Sequence, residues 1–259
     1  LVLKMTVNGV ATATVIANMV SSLLLFIKLI RTKQVIQIKK EEITFDRELF
    51  LKIMEIGLPA GIQTAVFAIA NIVIQSAINS LGTIVMAASS AALNIEICVY
   101  DILNSFSQAC TTFVGQNYGA GNLKRCRKIL GLCIIEDAIA TALMILFVIL
   151  FGKTLLSLFN NDPRVINIGY TRLLIIFTAY TFSMLYENMS GYLRGFGISL
   201  LPAILTTIGV CGVRIIWISF VFPLRRTFST IILAYPLSLS ITAVLIFLAL
   251  MKYRPSRIR

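Results

Sequence analysis

The chain has 259 residues, of which 58% are hydrophobic and only 13% charged, with a formal net charge of +12 and no histidine. A soluble domain is nearer half apolar and a quarter charged, so this composition favours a protein that has lipid as its solvent. The apolar residues form continuous runs rather than an alternating pattern, which predicts membrane-spanning helices and not a β-barrel. With no histidine and no Walker or zinc motif, the sequence gives no support to an enzyme, a bound cofactor or a metal site.

Seven apolar runs are each long enough to cross a hydrocarbon core of about 30 Å. The predicted spans, in chain order, are 8–30, 54–79, 83–112, 128–151, 166–190, 200–222 and 228–251. Short polar segments connect them, and the third run is itself interrupted by several polar residues. The predicted fold class is therefore all-α, a polytopic membrane protein with about seven transmembrane helices.

The basic residues are distributed unevenly between the two ends of these spans. If the spans alternate in direction, sixteen lysines and arginines lie on one side of the membrane and five on the other. The richer side holds the segment 32–50, the run Lys124–Lys128 and the end of the chain at Arg259. Cytoplasmic loops carry the excess of positive charge, so we expect those segments in the cytoplasm, with the protein in the inner or plasma membrane. Such basic patches also contact anionic lipid, so nucleic acid is not an expected partner.

Three of the predicted spans carry polar side chains at helical spacing. The three stripes are Thr64, Asn71, Gln75 and Asn79; Asn94, Asp101, Ser105 and Gln108; and Tyr180, Ser183, Glu187 and Ser190. Amides and hydroxyls also join membrane helices to one another, which is the alternative for any single stripe. Three stripes together, two of them with an acid, favour a shared polar cavity. The predicted substrate or ion pathway comprises Asn71, Gln75, Asn94, Asp101, Gln108, Ser183 and Glu187.

The acidic residues inside the spans differ in what their positions predict. Asp101 lies about mid-span on a polar stripe, so we expect it to line a water-accessible cavity. Glu187 lies seven residues before Arg194, so it either reaches a cavity or pairs with a neighbouring cation. Glu96 lies on a different face from Asp101, where pairing between helices is the simpler expectation.

Charged residues in two further spans have predicted electrostatic partners. Glu136 and Asp137 lie within two turns of the basic run Lys124–Lys128, which favours a structural salt bridge there. Arg214, in the run CGVRIIWISF, is interpreted as the one strong cation deep in the membrane. An unpaired guanidinium would be costly in that position, so we expect a carboxylate or a cluster of carbonyls to face it.

Prolines and glycines predict where helices begin, bend and end. Pro59 and Pro202 fall in the first turn of their predicted spans, where a missing N–H is tolerated. Pro236 falls inside the last span and predicts a kink. The glycine-rich segment GQNYGAGN, residues 115–122, is predicted to form a tight cytoplasmic loop, because a phosphate-binding loop would need a preceding strand and a GK[ST] ending.

Three segments of the chain read EIGLPAGIQTAVFAIANIVIQSAINSLG, FSQACTTFVGQNYGAGNLKRCRKI and SGYLRGFG. In this order and spacing they resemble the second half of the multidrug and toxic compound extrusion (MATE) family. The opening run NGVATATVIANMVSSLLLFIKLIR resembles the sixth helix of that family. The resemblance implies twelve helices in two six-helix lobes related by a pseudo-two-fold axis. It assigns residues 1–31 to the last helix of the first lobe, 32–50 to a cytoplasmic linker and 51–259 to the second lobe.

The resemblance also implies coupling residues, and this chain departs from them at two places. Some family members carry a glutamate at the position of Phe67, and others an aspartate at the position of Ser183, with Glu187 one turn further along. The principal coupling aspartate of many members lies in the first lobe, which this chain lacks. Predicted structural or coupling residues are Gly57, Pro59, Glu96, Gly115, Gln116, Gly119, Gly121, Arg194, Gly195, Arg214 and Pro236.

The leading functional hypothesis is an antiporter that exports cationic or amphiphilic drugs in exchange for Na⁺ or H⁺. A lipid-linked oligosaccharide flippase of the same superfamily is the first alternative, although such flippases carry more cations in their cavity. A chain that transports nothing alone is the second alternative. Since Leu1 is not an initiator methionine and one lobe cannot close a central path, we expect the C-terminal part of a longer protein whose first lobe is a partner.

Overall fold

The computed structural model describes residues 7–32, 37 and 44–253. The described residues form seven long helices: α1 (Val7–Arg31), α2 (Arg47–Asn79), α3 (Thr83–Gly119), α4 (Leu123–Ser157), α5 (Pro163–Gly195), α6 (Leu200–Val221) and α7 (Phe228–Tyr253). Each helix contains a window long and apolar enough to cross a membrane. The prediction of an all-α polytopic membrane fold with seven spans is confirmed.

The chain divides after Ile53 into two units. The first unit contains α1, whose side chains from Thr12 to Lys28 are exposed, and the first turns of α2. Most of the predicted linker 32–50 lies outside the described residues, as does the end of the chain at Arg259. The last residues of that predicted linker, from Arg47 onward, belong to α2.

Several helices are longer than the apolar runs that predicted them. Because α2 begins at Arg47, Pro59 lies well inside the helix, and its predicted place in a first turn is wrong. The predicted loop 115–122 is also wrong over most of its length, since α3 continues to Gly119. Asn117 lies within this helix, where its Nδ2 donates to the carbonyl of Phe113, one turn back, at 2.8 Å. The turn itself is short and contains Gly121 with φ +76°, a conformation that suits glycine.

Helix α5 lies at the centre of the second unit and packs against α3, α4 and α7. The main hydrophobic cluster joins side chains of these four helices: Ala92, Val99 and Leu103 of α3, Val148 and Leu156 of α4, Leu173, Ile176 and Phe177 of α5, and Ile232 and Ile246 of α7. Asp162 begins α5 by accepting the backbone N–H of Arg164 at 2.9 Å, with Pro163 at the first helical position. The Arg164 side chain also donates to this exposed carboxyl, and these hydrogen bonds lower the pKa of Asp162 from its ordinary value.

The closest approach between α3 and α5 depends on two glycines. A Cβ added to Gly191 would lie 2.5 Å from the carbonyl oxygen of Ser107, and one added to Gly195 would lie 2.7 Å from Cβ of Val114. Small residues let membrane helices approach in this way and expose their backbone oxygens to partners. The hydroxyl of Thr111 uses that access and donates to the Gly191 carbonyl at 3.0 Å.

Helix α6 is the least regular of the seven. It winds as a π-helix over Thr207–Gly212 and again over Trp217–Val221, with a short α-helical stretch between the two segments. Pro202 lies in its first turn, as predicted. The neighbouring α7 contains Pro236 in its interior, also as predicted. The indole Nε1 of Trp217 donates to the Thr230 carbonyl at 2.7 Å and ties the two helices together.

The outer surface of helix α4 is apolar. On α4 the exposed side chains include Ile135, Ile139, Leu143, Leu146 and Leu150, with exposed fractions from 53% to 65%. A contiguous apolar face of this kind would aggregate in water and is satisfied by lipid. Many polar side chains of the second unit instead lie between α2, α3, α5, α6 and α7, where two cavities open.

Candidate functional site

Two cavities lie within the second unit; both are bordered by α2, α3, α5 and α6, and the first also by α7. The first has a volume of about 290 Å³ and is lined by Arg172 and Arg214; it is called the arginine chamber. The second has a volume of about 300 Å³ and is lined by Glu187; it is called the Glu187 chamber. Phe67 and Tyr100 line both cavities and therefore form the partition between them.

The arginine chamber contains a buried ion pair between α3 and α5. Arg172 donates from Nε to Oε1 of Glu96 at 2.6 Å and from Nη2 to Oε2 at 2.8 Å. Its Nη1 donates to the hydroxyl of Ser89 at 2.6 Å. The side chains of Arg172 and Glu96 are only 2% and 4% exposed, so the ion pair is almost fully buried within the protein. The expectation that Glu96 pairs between helices is confirmed, and its partner is Arg172.

Arg214 occupies another wall of the same chamber and has a different set of contacts. Its Nε donates to the hydroxyl of Ser238 at 3.0 Å, and its guanidinium carbon lies 4.2 Å from the centre of the Tyr235 ring. No ion pair joins Arg214 to an acid of the described residues. The predicted carboxylate partner is therefore wrong, because the nearby carboxylate, Glu96, is engaged by Arg172. The prediction that Arg214 is the one deep cation is also wrong, because Arg172 of α5 is a second buried arginine.

Aromatic rings hold the two guanidiniums in place. The Tyr235 ring lies 5.5 Å from the guanidinium carbon of Arg172 as well as 4.2 Å from that of Arg214. Tyr180 packs edge-on against Phe177 with a ring separation of 5.1 Å. Its hydroxyl donates to the carbonyl of Glu96 at 3.4 Å. A cation over an aromatic face is stabilised by the ring quadrupole, and more strongly where water is excluded.

The Glu187 chamber is built around one carboxylate, whose side chain is 12% exposed. Tyr100 donates its hydroxyl to Oε1 of Glu187 at 2.9 Å, and Arg194 lies with Nη2 at 3.3 Å from Oε2. The side chain of Arg194 is 40% exposed, so this pair is open on one side. On the opposite wall Gln63 of α2 donates to the hydroxyl of Thr206 on α6. Both expectations for Glu187 are met, since it lines a cavity and pairs with a cation.

Most of the residues predicted for the pathway reach one chamber or the other. Asn71, Gln75 and Ser183 line the arginine chamber, and Gln108 and Glu187 line the Glu187 chamber. Two predicted pathway residues line neither cavity. These are Asn94 and Asp101, both exposed on α3.

Asn94 and Asp101 share the outward face of α3 with Ser105. Asn94 donates to the carbonyl of Ser90 at 2.9 Å, one turn back along its own helix. Asp101 forms no ion pair with the described residues. A role for Asp101 in transport stays a prediction, and the surface on which it acts would be this exposed face and not either chamber.

The predicted structural residues occupy varied positions. Arg194 and Gly195 lie at the last turn of α5, where Gly195 packs on α3 and lies close to Gly115. Gln116 and Gly119 are exposed in the last turns of α3. Gly57 has open space around its Cα, so packing alone does not explain a glycine there.

Asp137 of α4 differs from its prediction. It is fully buried, and the amide nitrogen of Asn188 donates to Oδ2 at 2.5 Å, with the Thr141 hydroxyl at 3.3 Å from Oδ1. No ion pair joins it to a basic residue of the described chain, so the predicted salt bridge with Lys124–Lys128 is wrong. Glu136 is exposed. The helix turns Asp137 inward to Asn188 of α5, whereas Lys124–Lys128 lies in the first turns of α4.

Four residues that build the chambers escaped the sequence analysis: Tyr100, Arg172, Tyr235 and Gln63. Arg172 could have been identified from the sequence, because an arginine well inside a predicted span has a strong requirement for a partner. The aromatic residues gave no comparable signal, since tyrosine is common in membrane helices and only the fold brings Tyr235 to two guanidiniums. Gln63 lies one position before the polar stripe of α2 and reaches Thr206 from there.

A bundle of apolar helices that encloses polar chambers with acids and arginines is the architecture of a membrane transporter. The MatE family model matches residues 59–219, which is more than half of the sequence. The chain therefore belongs to the MatE family.

Relatives in other organisms agree with this assignment. A probable multidrug resistance protein of Bacillus subtilis is 25% identical over 215 residues, which cover 82% of this chain and 46% of that protein. A second probable multidrug resistance protein, from Thermotoga maritima, is 25% identical over 212 residues, with the same two coverages. The chain thus spans about half the length of the curated relatives it matches.

A solved structure confirms the fold. An outward-facing multidrug resistance transporter of the MATE family superposes with a TM-score of 0.84 at 20% sequence identity. The superposition covers 100% of this chain and 58% of that protein. The likeness therefore extends through all seven helices.

Proposed function

We propose that this chain forms the second six-helix lobe, with the last helix of the first, of a secondary transporter that exports organic cations in exchange for Na⁺ or H⁺. In this proposal α1 completes the first lobe, the segment 32–50 is the cytoplasmic linker, and α2–α7 are the second lobe. Family membership and the similarity to multidrug resistance proteins of about twice the length support this arrangement.

The observation that carries the proposal is an exposed polar face on apolar helices. Asn71 of α2 and Asn94, Asp101 and Gln108 of α3 are all exposed on the second unit. A polar group left against hydrocarbon costs several kcal/mol, so such a face needs a protein neighbour or a water-filled path. A transport path between two lobes supplies both, because substrate sites in such transporters lie at the interface of the repeats.

Glu187 is the residue we propose for recognition of the exported cation or the coupling ion. Its Oε1 accepts from Tyr100, and its Oε2 is 3.3 Å from an arginine that is itself 40% exposed. An incoming cation could displace Arg194 toward the surroundings and take its place at the carboxylate. The exposed Asp101 on the adjacent helix is the second acid proposed for the path.

Proteoliposomes loaded with ethidium test the proposal. One set contains this chain alone, and a second contains the chain preceded by the five helices expected of its first lobe. Under an imposed Na⁺ or proton gradient, we expect efflux from the second set only. Glu187→Gln should abolish it, whereas Asp162→Asn, at the N-terminal cap of α5, should leave it unchanged. Absence of efflux in both sets would reject the exporter. Gradient-dependent efflux by the chain alone would instead favour a dimer of half-transporters.

The proposed topology places the protein in the inner or plasma membrane, with the linker 32–50 and the C-terminus on the cytoplasmic side. Its support is the uneven distribution of lysine and arginine along the sequence. On a cysteine-free background, Lys40→Cys should react with an impermeant maleimide only after cells are permeabilised. Arg225→Cys, between α6 and α7, is the matched control and should react in intact cells. Labelling of position 40 in intact cells would show that the linker lies outside the cell, and it would reject the proposed topology.

A flippase for lipid-linked oligosaccharides is a second candidate, and one observation favours it. Two arginines line the arginine chamber, where sequence analysis had expected one. Glu96 neutralises Arg172, however, so the chamber offers a single uncompensated guanidinium to a diphosphate that carries at least two charges. The cationic-drug exporter remains the better-supported proposal.

A further inference from the structure

Arg214 has a buried guanidinium whose terminal nitrogens have no hydrogen-bond partner among the described residues. The residue is only 7% exposed and lines the arginine chamber. Its Nε donates to Ser238, and no hydrogen bond of Nη1 or Nη2 to another described residue is present. Neither nitrogen is sealed off from its surroundings among the described residues, so both remain accessible from the cavity.

The contacts of Arg214 fix its orientation. Ser238 holds Nε at 3.0 Å, and the Tyr235 ring supports the guanidinium from a distance of 4.2 Å. Its backbone lies in the short α-helical stretch between the two π-helical segments of α6. Such π-helical turns are rare and occur frequently at functional sites. The two Nη groups are thus held in place for a ligand.

The charges in the chamber do not balance. Arg172 and Arg214 are positive, and Glu96 is the one acid among the described residues that line the cavity. Both carboxylate oxygens of Glu96 are used by Arg172. One positive charge is therefore left over, on a residue that is only 7% exposed. Leaving a buried charge uncompensated costs several kcal/mol, and an anion in the cavity would remove that cost.

We propose that the arginine chamber binds one oxyanion group, a carboxylate or a phosphate, through the two Nη nitrogens of Arg214. The planar guanidinium presents parallel N–H donors that match the two oxygens of such a group. The amides of Asn71 and Gln75 line the same cavity and offer further donors. This site is separate from the proposed cation site at Glu187, which lies on the other side of Phe67 and Tyr100.

The oxyanion has two possible sources, and the apolar residues of the chamber wall allow an experiment to distinguish them. It is either a free ion or the acidic head of an amphiphile. Ile74, Ile78, Val210 and Leu239 line the same cavity and would contact an attached hydrocarbon tail. Acetate and hexanoate carry the same carboxylate and differ only in that tail. If the source is an amphiphile, hexanoate binds more tightly than acetate, by up to about 0.8 kcal/mol for each buried CH₂ group, which is about fourfold.

The single tryptophan of the chain provides the measurement. Trp217 follows Arg214 by three residues, and its Nε1 is fixed to Thr230. Purified chain in a nonionic detergent is titrated with sodium phosphate, acetate or hexanoate at constant ionic strength, with a bulky sulfonate as the background anion. We expect a saturable change in tryptophan fluorescence with at least one of the three anions. No saturable change with any of them would overturn the proposal.

Variants separate binding at Arg214 from a general salt effect. Arg214→Ala should weaken binding at least about tenfold, because it removes a charge-assisted pair of hydrogen bonds. Arg226→Ala, on the exposed loop before α7, is the matched control and should bind as the unmodified chain does. Unchanged affinity in a folded Arg214→Ala variant, judged by circular dichroism and gel filtration, would refute the site.

A second variant keeps the proposal testable if Arg214→Ala fails to fold. Glu96→Gln removes the competing negative charge and releases the guanidinium of Arg172 toward the cavity. We expect tighter anion binding, by about tenfold, in this variant. Equal or weaker binding would contradict an anion site in this chamber. These measurements need no transport, so their failure is distinguishable from a failure of the ethidium efflux assay.

Discussion

The two chambers are neighbours that share four helices, but the ion pair in one is buried and the ion pair in the other is partly exposed. In the arginine chamber the Glu96–Arg172 pair is buried, with side chains 4% and 2% exposed. Two short hydrogen bonds join the pair, and a third holds Arg172 to Ser89. In the Glu187 chamber the Glu187–Arg194 pair is a single 3.3 Å contact with the arginine 40% exposed. A sealed pair joins helices, whereas an open pair can exchange its partner. The difference favours a structural role for the first pair, and it supports the proposed role of Glu187 in recognition of the exported cation or the coupling ion.

Breaking the sealed pair should have the largest effect on stability. Arg172→Leu would leave the Glu96 carboxylate buried without its cation, and we expect a loss of about 3–5 kcal/mol in the free energy of unfolding. Unfolding of the purified chain by SDS titration measures it. The double variant Arg172→Leu with Glu96→Leu should recover most of the loss, since two apolar side chains leave no charge unpaired. A double variant as unstable as the single one would contradict this explanation.

Crowding the contact between α3 and α5 beside the Glu187 chamber should have an intermediate effect. Gly191→Ala places a Cβ 2.5 Å from the Ser107 carbonyl oxygen, so the two helices must separate. We expect a loss of about 1–3 kcal/mol. Gly57→Ala is the matched control, because its Cα has open space and alanine is the better helix former. Similar unfolding curves for the two variants would show that the close approach is not needed.

Breaking the open pair should have the smallest effect on stability and a large one on transport. Glu187→Gln keeps an oxygen for the Tyr100 hydroxyl and removes only a partly exposed ion pair, so we expect a change below about 1 kcal/mol. In the same variant, export of ethidium should be lost, as stated above. A stability loss as large as that of Arg172→Leu would remove the distinction between the two chambers.

Sequence patterns predicted the spans well because burial in lipid requires long apolar runs whatever the neighbouring helices are. They predicted the helix ends less well. Apolar content marks the hydrocarbon core, whereas α3 continues past it to Gly119 and α2 begins before it at Arg47. A helix keeps its own hydrogen bonds in the polar region, so composition changes there before the helix ends.

The chambers were predicted in part. Helical spacing placed Asn71, Gln75 and Ser183 on faces that meet, because each face is set by its own helix. Charge pairing could not be predicted in the same way, since Glu96 and Arg172 are 76 residues apart and meet only through the packing of α3 on α5. The same limitation explains Asp137, whose partner Asn188 is on the next helix. Distance along the chain gave no indication of either contact.

The polar residues of helix α5 affect how the protein inserts into the membrane. This helix is the least apolar of the seven candidate spans, and it supplies Arg172 to α3 and Asn188 to α4. A helix leaving the translocon alone would expose these groups to lipid, at about 2.5–3.5 kcal/mol for the arginine at mid-membrane. We therefore expect α5 to enter the bilayer efficiently only after α3 and α4 are in place to receive it. In an insertion reporter, α5 alone should translocate through the membrane far more often than α5 preceded by those two helices.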